Sequence, residues 1–184
     1  MSNQAELQSW HDFYLVAGPA AASLVGLLFV GLTLHLRAVL ARSEVRGLAR
    51  VTFSNFSLVL IVALFFVIPQ AAGALGEQLI IAAAVSLVIT APAVVAAARS
   101  ETRTLDLRQL VLRFGLSILG YVGVGVAGGL VMAGRPSGFD WLAAAVVAML
   151  VISLRNSWDL LVSVGASVMP PQPAGGAAAE DESS

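Results

Sequence analysis

Cysteine and lysine are both missing from this chain of 184 residues, and histidine occurs only twice. Without cysteine there is no disulfide, no thiolate metal site and no cysteine nucleophile. Without lysine there is neither a Schiff-base amine nor the phosphate-binding lysine of a P-loop. His11 and His35 stand 24 positions apart. Along a helix that is about 36 Å at 1.5 Å per residue, so the two are not expected to share a metal. An HExxH motif is absent too. No enzyme chemistry and no cofactor are expected. Charge is also scarce, at 11% of residues, against about a quarter in soluble domains. A net charge of −1 gives no reason to expect a nucleic acid partner.

What fills the chain is apolar: 58% of residues are hydrophobic. A membrane helix needs about 20 mostly apolar residues to cross about 30 Å of hydrocarbon. Segments near Phe13–Leu36, Val51–Leu75, Gln78–Ala98, Leu110–Met132 and Phe139–Val164 meet that length. The expected fold class is therefore an all-α membrane protein, a bundle of about five transmembrane helices. The first segment has no Arg or Lys before it and is too long for the apolar region of a typical signal peptide, so a signal peptide is not expected. Pro69 and Pro92 are expected to bend or end their helices, and Pro19 lies in the first turns of helix 1.

All ten basic residues are arginine, and their placement predicts orientation. Arg37, Arg42, Arg46 and Arg50 fall in the first connection, and Arg99, Arg103, Arg108 and Arg113 at the third. The amino tail and second connection have none, and the fourth has only Arg135. Short arginine-rich loops stay cytoplasmic. The amino end is thus expected outside and the carboxyl end inside. Residues 1–12 form an extracytoplasmic tail, 13–168 the transmembrane domain, and 169–184 ("QPAGGAAAEDESS" at its end) a disordered acidic cytoplasmic tail. Trp10, Phe13 and Tyr14 on helix 1, and Phe139 and Trp141 on helix 5, are expected at the outer rim, where amphipathic rings settle.

Three groups of residues attract attention. Glycines recur at helix-packing spacing: Gly18, Ala22 and Gly26 on helix 1, and Gly120, Gly125 and Gly129 on helix 4, the last two a GxxxG pair. Missing side chains let backbones approach, either inside one chain or between subunits. Arg42, Arg46 and Arg50 recur every four residues, one helical stripe suited to lipid headgroups or to a cytosolic partner. Last, "VISLRNSWDLLVSVG" sets Arg155 and Asp159 one turn apart in an apolar run. Counted from Trp141, they lie about 21 and 27 Å into a core of about 30 Å. The apolar residues after Asp159 draw them deeper.

A helical wheel puts Ser153, Asn156 and Asp159 on one polar flank with Arg155 at its edge, and Leu154, Trp158 and Leu161 opposite. Asn55, Ser57, Arg113, Ser117 and His35 reach similar depth from other helices. The expectation is an Arg155–Asp159 ion pair facing the bundle, either locking helix 5 or forming a proton, ion or ligand site.

The stretches "WHDFYLVAGPAAASLVGLLFVGLTLHL" and "LRNSWDLL" resemble a group of small uncharacterised bacterial multi-pass membrane proteins. Their first helix has the form W-x-x-F-Y…G-L-L-F-V. The resemblance implies a bacterial inner-membrane address and carries no activity. The expected role is a helix-packing or accessory component of a homo-oligomer or a larger membrane complex, with the lipid bilayer as constant partner. The rival is a small oligomeric channel or transporter using Arg155 and Asp159.

Overall fold

A proline and a glutamine settle where the second span ends. The computed structural model describes residues 3–41, 43–99 and 114–166. Among these residues there are six helices and no strand. We label them α1 (Asn3–Leu34), α2 (Leu36–Ala41), α3 (Ser43–Val67), α4 (Ala72–Arg99), α5 (Leu116–Met132) and α6 (Ser137–Ala166). The second apolar segment runs to Leu75 in the sequence, but α3 stops at Val67 and Leu75 belongs to α4. Pro69 disfavours helical backbone at Ile68 and has no N–H to give. The Gln70 side chain then donates from Nε2 to the Phe65 carbonyl at 2.8 Å, satisfying a helix-end acceptor that lipid could not. Pro92, by contrast, lies inside α4, which continues to Arg99. Helix α1 begins at Asn3, so most of the expected amino tail is helical.

The turn from α5 to α6 has an equally local cause. Gly134 has φ of 73°, the left-handed conformation that suits glycine. Its N–H bonds the Val131 carbonyl, and the Arg135 N–H reaches the Leu130 carbonyl at 2.9 Å. This is the Schellman arrangement, which caps orphaned carbonyls and ends the helix. At the other end of the molecule His35 forms the turn between α1 and α2. There Arg46 donates from Nη1 to the Leu40 carbonyl at 3.0 Å. One member of the arginine stripe thus caps α2.

α3, α4, α5 and α6 form a ring in which each packs on the next, with α3 and α6 closing it. α1 lies outside the ring against α3 and α6. Four helices, α1, α3, α4 and α6, contain runs long and apolar enough to cross a membrane; the described part of α5 is shorter, at 17 residues. The protein is a membrane-embedded helical bundle. Neighbours within the ring run antiparallel. A Cβ placed on Gly120 would meet Met149 and one on Gly123 would meet Ala145, so α5 descends as α6 climbs. Between α4 and α5 the backbones touch: a Cβ on Gly76 would lie 2.6 Å from the Gly128 carbonyl oxygen.

Aromatic rings close the end opposite the arginine stripe. Tyr14 stacks on Phe66 with centroids 3.8 Å apart, and Phe66 meets Phe139 edge-on at 6.3 Å. Tyr14, Phe66 and Phe139 are buried. They bind α1, α3 and α6 together at the end of the bundle where the sequence placed them. Of the ring-bearing residues expected there, Trp141 is the exposed one, and Trp10 and Phe13 are partly buried.

Candidate functional site

Each of the four ring helices buries a pair of polar side chains at about the same level. α3 gives Ser54 and Asn55, α4 gives Ser86 and Thr90, α5 gives Ser117 and Tyr121, and α6 gives Ser153 and Asn156; all are buried. On α4 and α5 the spacing is four residues and on α6 it is three, the intervals that keep both members on one helix face. Ser117 lies three residues before Gly120, and Ser153 four after Met149, so the Gly120–Met149 contact puts the two serines level.

α3 and α5 stand diagonally across the ring, and Asn55 donates from Nδ2 to the Ser117 Oγ at 2.9 Å across that diagonal. The hydroxyls of Ser54 and Thr90 approach the Tyr121 hydroxyl without completing a hydrogen bond to it. Other hydroxyls are satisfied within their own helices: Thr90 on the Ser86 carbonyl at 2.8 Å, Ser86 on Ala82 and Thr52 on Leu48 at 2.9 Å. Four buried atoms of this polar seam have no hydrogen-bond partner among the described residues: Asn55 Oδ1, Tyr121 Oη, Ser153 Oγ and Asn156 Nδ2. Such groups are costly away from water, so they are the reactive hydrogen-bonding capacity of the bundle interior. Beyond them, Leu58, Val62, Leu79, Val124, Leu142 and Val146 pack into one apolar core. The seam is therefore a neutral polar layer beneath an apolar plug.

Among the described residues no ion pair is recorded between Arg155 and Asp159. The recorded ion pair is His11 with Asp12, at 3.7 Å. Arg155 is exposed beside the exposed Leu154 and Trp158, and Asp159 is half-buried. The reason is the true centre of the inward face. Met149, Ser153, Asn156 and Leu160 define it, and at 100° per residue Asp159 falls about 90° and Arg155 about 130° away from that centre. The polar flank seen in the sequence was real, but its centre lies on the uncharged residues.

Of the other expected site residues, Asn55 and Asn156 are in the seam. Arg113 and Arg42 lie outside the described residues, as does the tail from residue 169. Gly120 packs on Met149 and Gly125 on Ala83 of α4, whereas nothing approaches Gly26 or Gly129 within 4 Å. Gly76 and Gly128, which make the closest backbone approach, carried no spacing signal of their own. Nor does hydropathy mark Ser86, Thr90 and Ser54. A period of four between Ser86 and Thr90 in an apolar helix was the available sign. Among the described residues no three His, Asp or Glu side chains converge as a metal would require.

We expect the Asn55–Ser117 bond to be measurable by a double-mutant cycle on thermal stability in detergent. Buried membrane hydrogen bonds couple by about 0.6 kcal/mol on average, reaching about 1.7. Asn55→Ala with Ser117→Ala should show coupling in that range. Zero coupling would mean that the bond does not hold α3 to α5.

No protein-family model matches the chain, and no curated protein or solved structure matches it.

Proposed function

We propose that this protein is an accessory, non-catalytic component of the bacterial inner membrane, acting by lateral helix association in a homo-oligomer or a larger complex. The observation that supports this most is the outer side of α1. Only 22% of the span's most apolar window is buried, and Ala22 and Gly26, one turn apart, both face outward with open space around Gly26. Small residues on an outer face let a second helix approach closely, and such packing drives association in lipid. The W-x-x-F-Y…G-L-L-F-V resemblance supports the bacterial address. The arginines at the α1–α3 end support an amino end outside and a carboxyl end inside.

Purification in mild detergent with a mass measurement tests the reading. The parent should run as a defined multiple of its 19.0 kDa or with a stoichiometric partner, and Gly26→Leu should release the single chain without lowering its own thermal stability. Cysteines at Ser2 and Ser183 in the same preparation report orientation through an impermeant thiol reagent, which should label position 2 in intact cells. A monomeric parent with gradient-driven flux in proteoliposomes would replace this reading with the channel.

A further inference from the structure

We propose that the groove between α3 and α4 holds one acyl chain of an anionic phospholipid, with the headgroup phosphate at Arg50. The groove is a concavity of about 420 Å³ on the outer surface of the ring, within the range of about 300–1,000 Å³ that accepts small ligands. Small and buried residues make its floor: Ser54, Leu58 and Ser86. Exposed bulky residues make its walls, Phe53 and Ile61 from α3 and Val85 and Ile89 from α4. Arg50, exposed, is the one charged residue on its lining. It makes no ion pair with a described residue.

Shape and charge select the occupant. α3 and α4 pack directly on each other, and neighbouring helix axes lie about 8–10 Å apart. A slot between them is too narrow for another helix, whose diameter is about 10–12 Å, but not for a single hydrocarbon chain. From Arg50 to Phe65 the groove runs fifteen residues, about 22 Å at 1.5 Å each, so it accommodates a chain spanning one leaflet of a core about 30 Å thick and reaches past its middle. A chain lying along it from the Arg50 end places its phosphate against the guanidinium, which binds phosphate in a planar, bidentate manner. The lining is otherwise uncharged, so the chain meets no carboxylate along its path.

The test is native mass spectrometry of the detergent-purified chain titrated with dioleoyl phosphatidylglycerol or dioleoyl phosphatidylcholine. The parent should retain one phosphatidylglycerol per chain at collision energies that strip phosphatidylcholine. Arg50→Gln should reduce the preference by about fivefold, the value of one basic contact at an anionic surface. Arg37→Gln, at the same end but off the groove, should leave it unchanged. Val85→Trp should fill the groove and lower retention of both lipids. Thermal stability of each variant separates a lost site from a lost fold, and Ile89→Trp serves if Val85→Trp does not fold. Equal retention of the two lipids by the parent, equal losses in Arg50→Gln and Arg37→Gln, or unchanged retention in a folded tryptophan variant would overturn the proposal.

Discussion

Gly128→Leu is expected to be the most damaging single substitution in the bundle. A Cβ at Gly128 would lie 2.7 Å from the Gly76 carbonyl oxygen and 3.0 Å from the Leu79 Cβ. The first obstacle is backbone, which cannot turn aside as the end of a flexible side chain can. The added bulk must separate α4 from α5 along the contact that Gly76, Ala83, Gly125 and Gly128 line. Overpacking a filled interior costs about 1–3 kcal/mol and occasionally more. With the obstacle rigid we expect about 3 kcal/mol, which for a chain of this size lowers Tm by roughly 6–12 °C. Gly129→Leu is the matched control, since nothing lies within 4 Å of a Cβ there. It should move Tm by less than about 2 °C, as surface substitutions do. Equal effects of the two substitutions on thermal unfolding in detergent would mean that α4 and α5 do not touch through Gly76 and Gly128.

Phe66→Ala should have the next largest effect. Its ring stacks on Tyr14 and meets Phe139, so it joins α1 to α3 and α6 at once. Truncating a buried Phe costs about 3–5 kcal/mol in soluble cores. Part of that figure is transfer out of water, which lipid does not supply, so about 3 kcal/mol from the cavity and lost contacts is expected here. Phe66→Leu should recover much of the loss by refilling the space, and Trp141→Ala, at an exposed position, should cost little. A Phe66→Ala protein as stable as its parent would show that the aromatic contacts do not hold α1 to the ring.

Much of the fold was legible because the membrane imposes it. Uninterrupted apolar runs near 20 residues admit few structures other than helices that satisfy their own backbone, so an all-helical membrane bundle and the outward side of Leu154, Trp158 and Leu161 could be read directly. Boundaries were less legible because they depend on single side chains. Gln70 reaching back to Phe65, and Gly134 in its left-handed turn, end α3 and α5, and hydropathy does not register either.

The candidate site was legible in part. Asn55, Ser117, Ser153 and Asn156 could be found as polar residues at similar depth, and two of them bond. The charges drew attention away from them. Arg155 and Asp159 sit next to the inward stripe in sequence, yet a rotation of about 90–130° removes them from its centre. Only the packing of Met149 and Leu160 fixes that rotation, through neighbours on other helices. Gly128 was hidden among adjacent glycines for the same reason. Which glycine of a run faces a partner depends on where that partner lies.

The central claim, association through the outer face of α1, is tested most directly by a photo-crosslinking side chain at Ala22 in intact cells. It should yield one discrete protein adduct, at twice 19.0 kDa for a second copy or at one reproducible higher mass for a partner. The same probe at Val88 of α4, which is 72% exposed, should yield none. A position-22 variant that gives no discrete protein adduct, matching position 88, would contradict the account and leave α1 facing lipid alone.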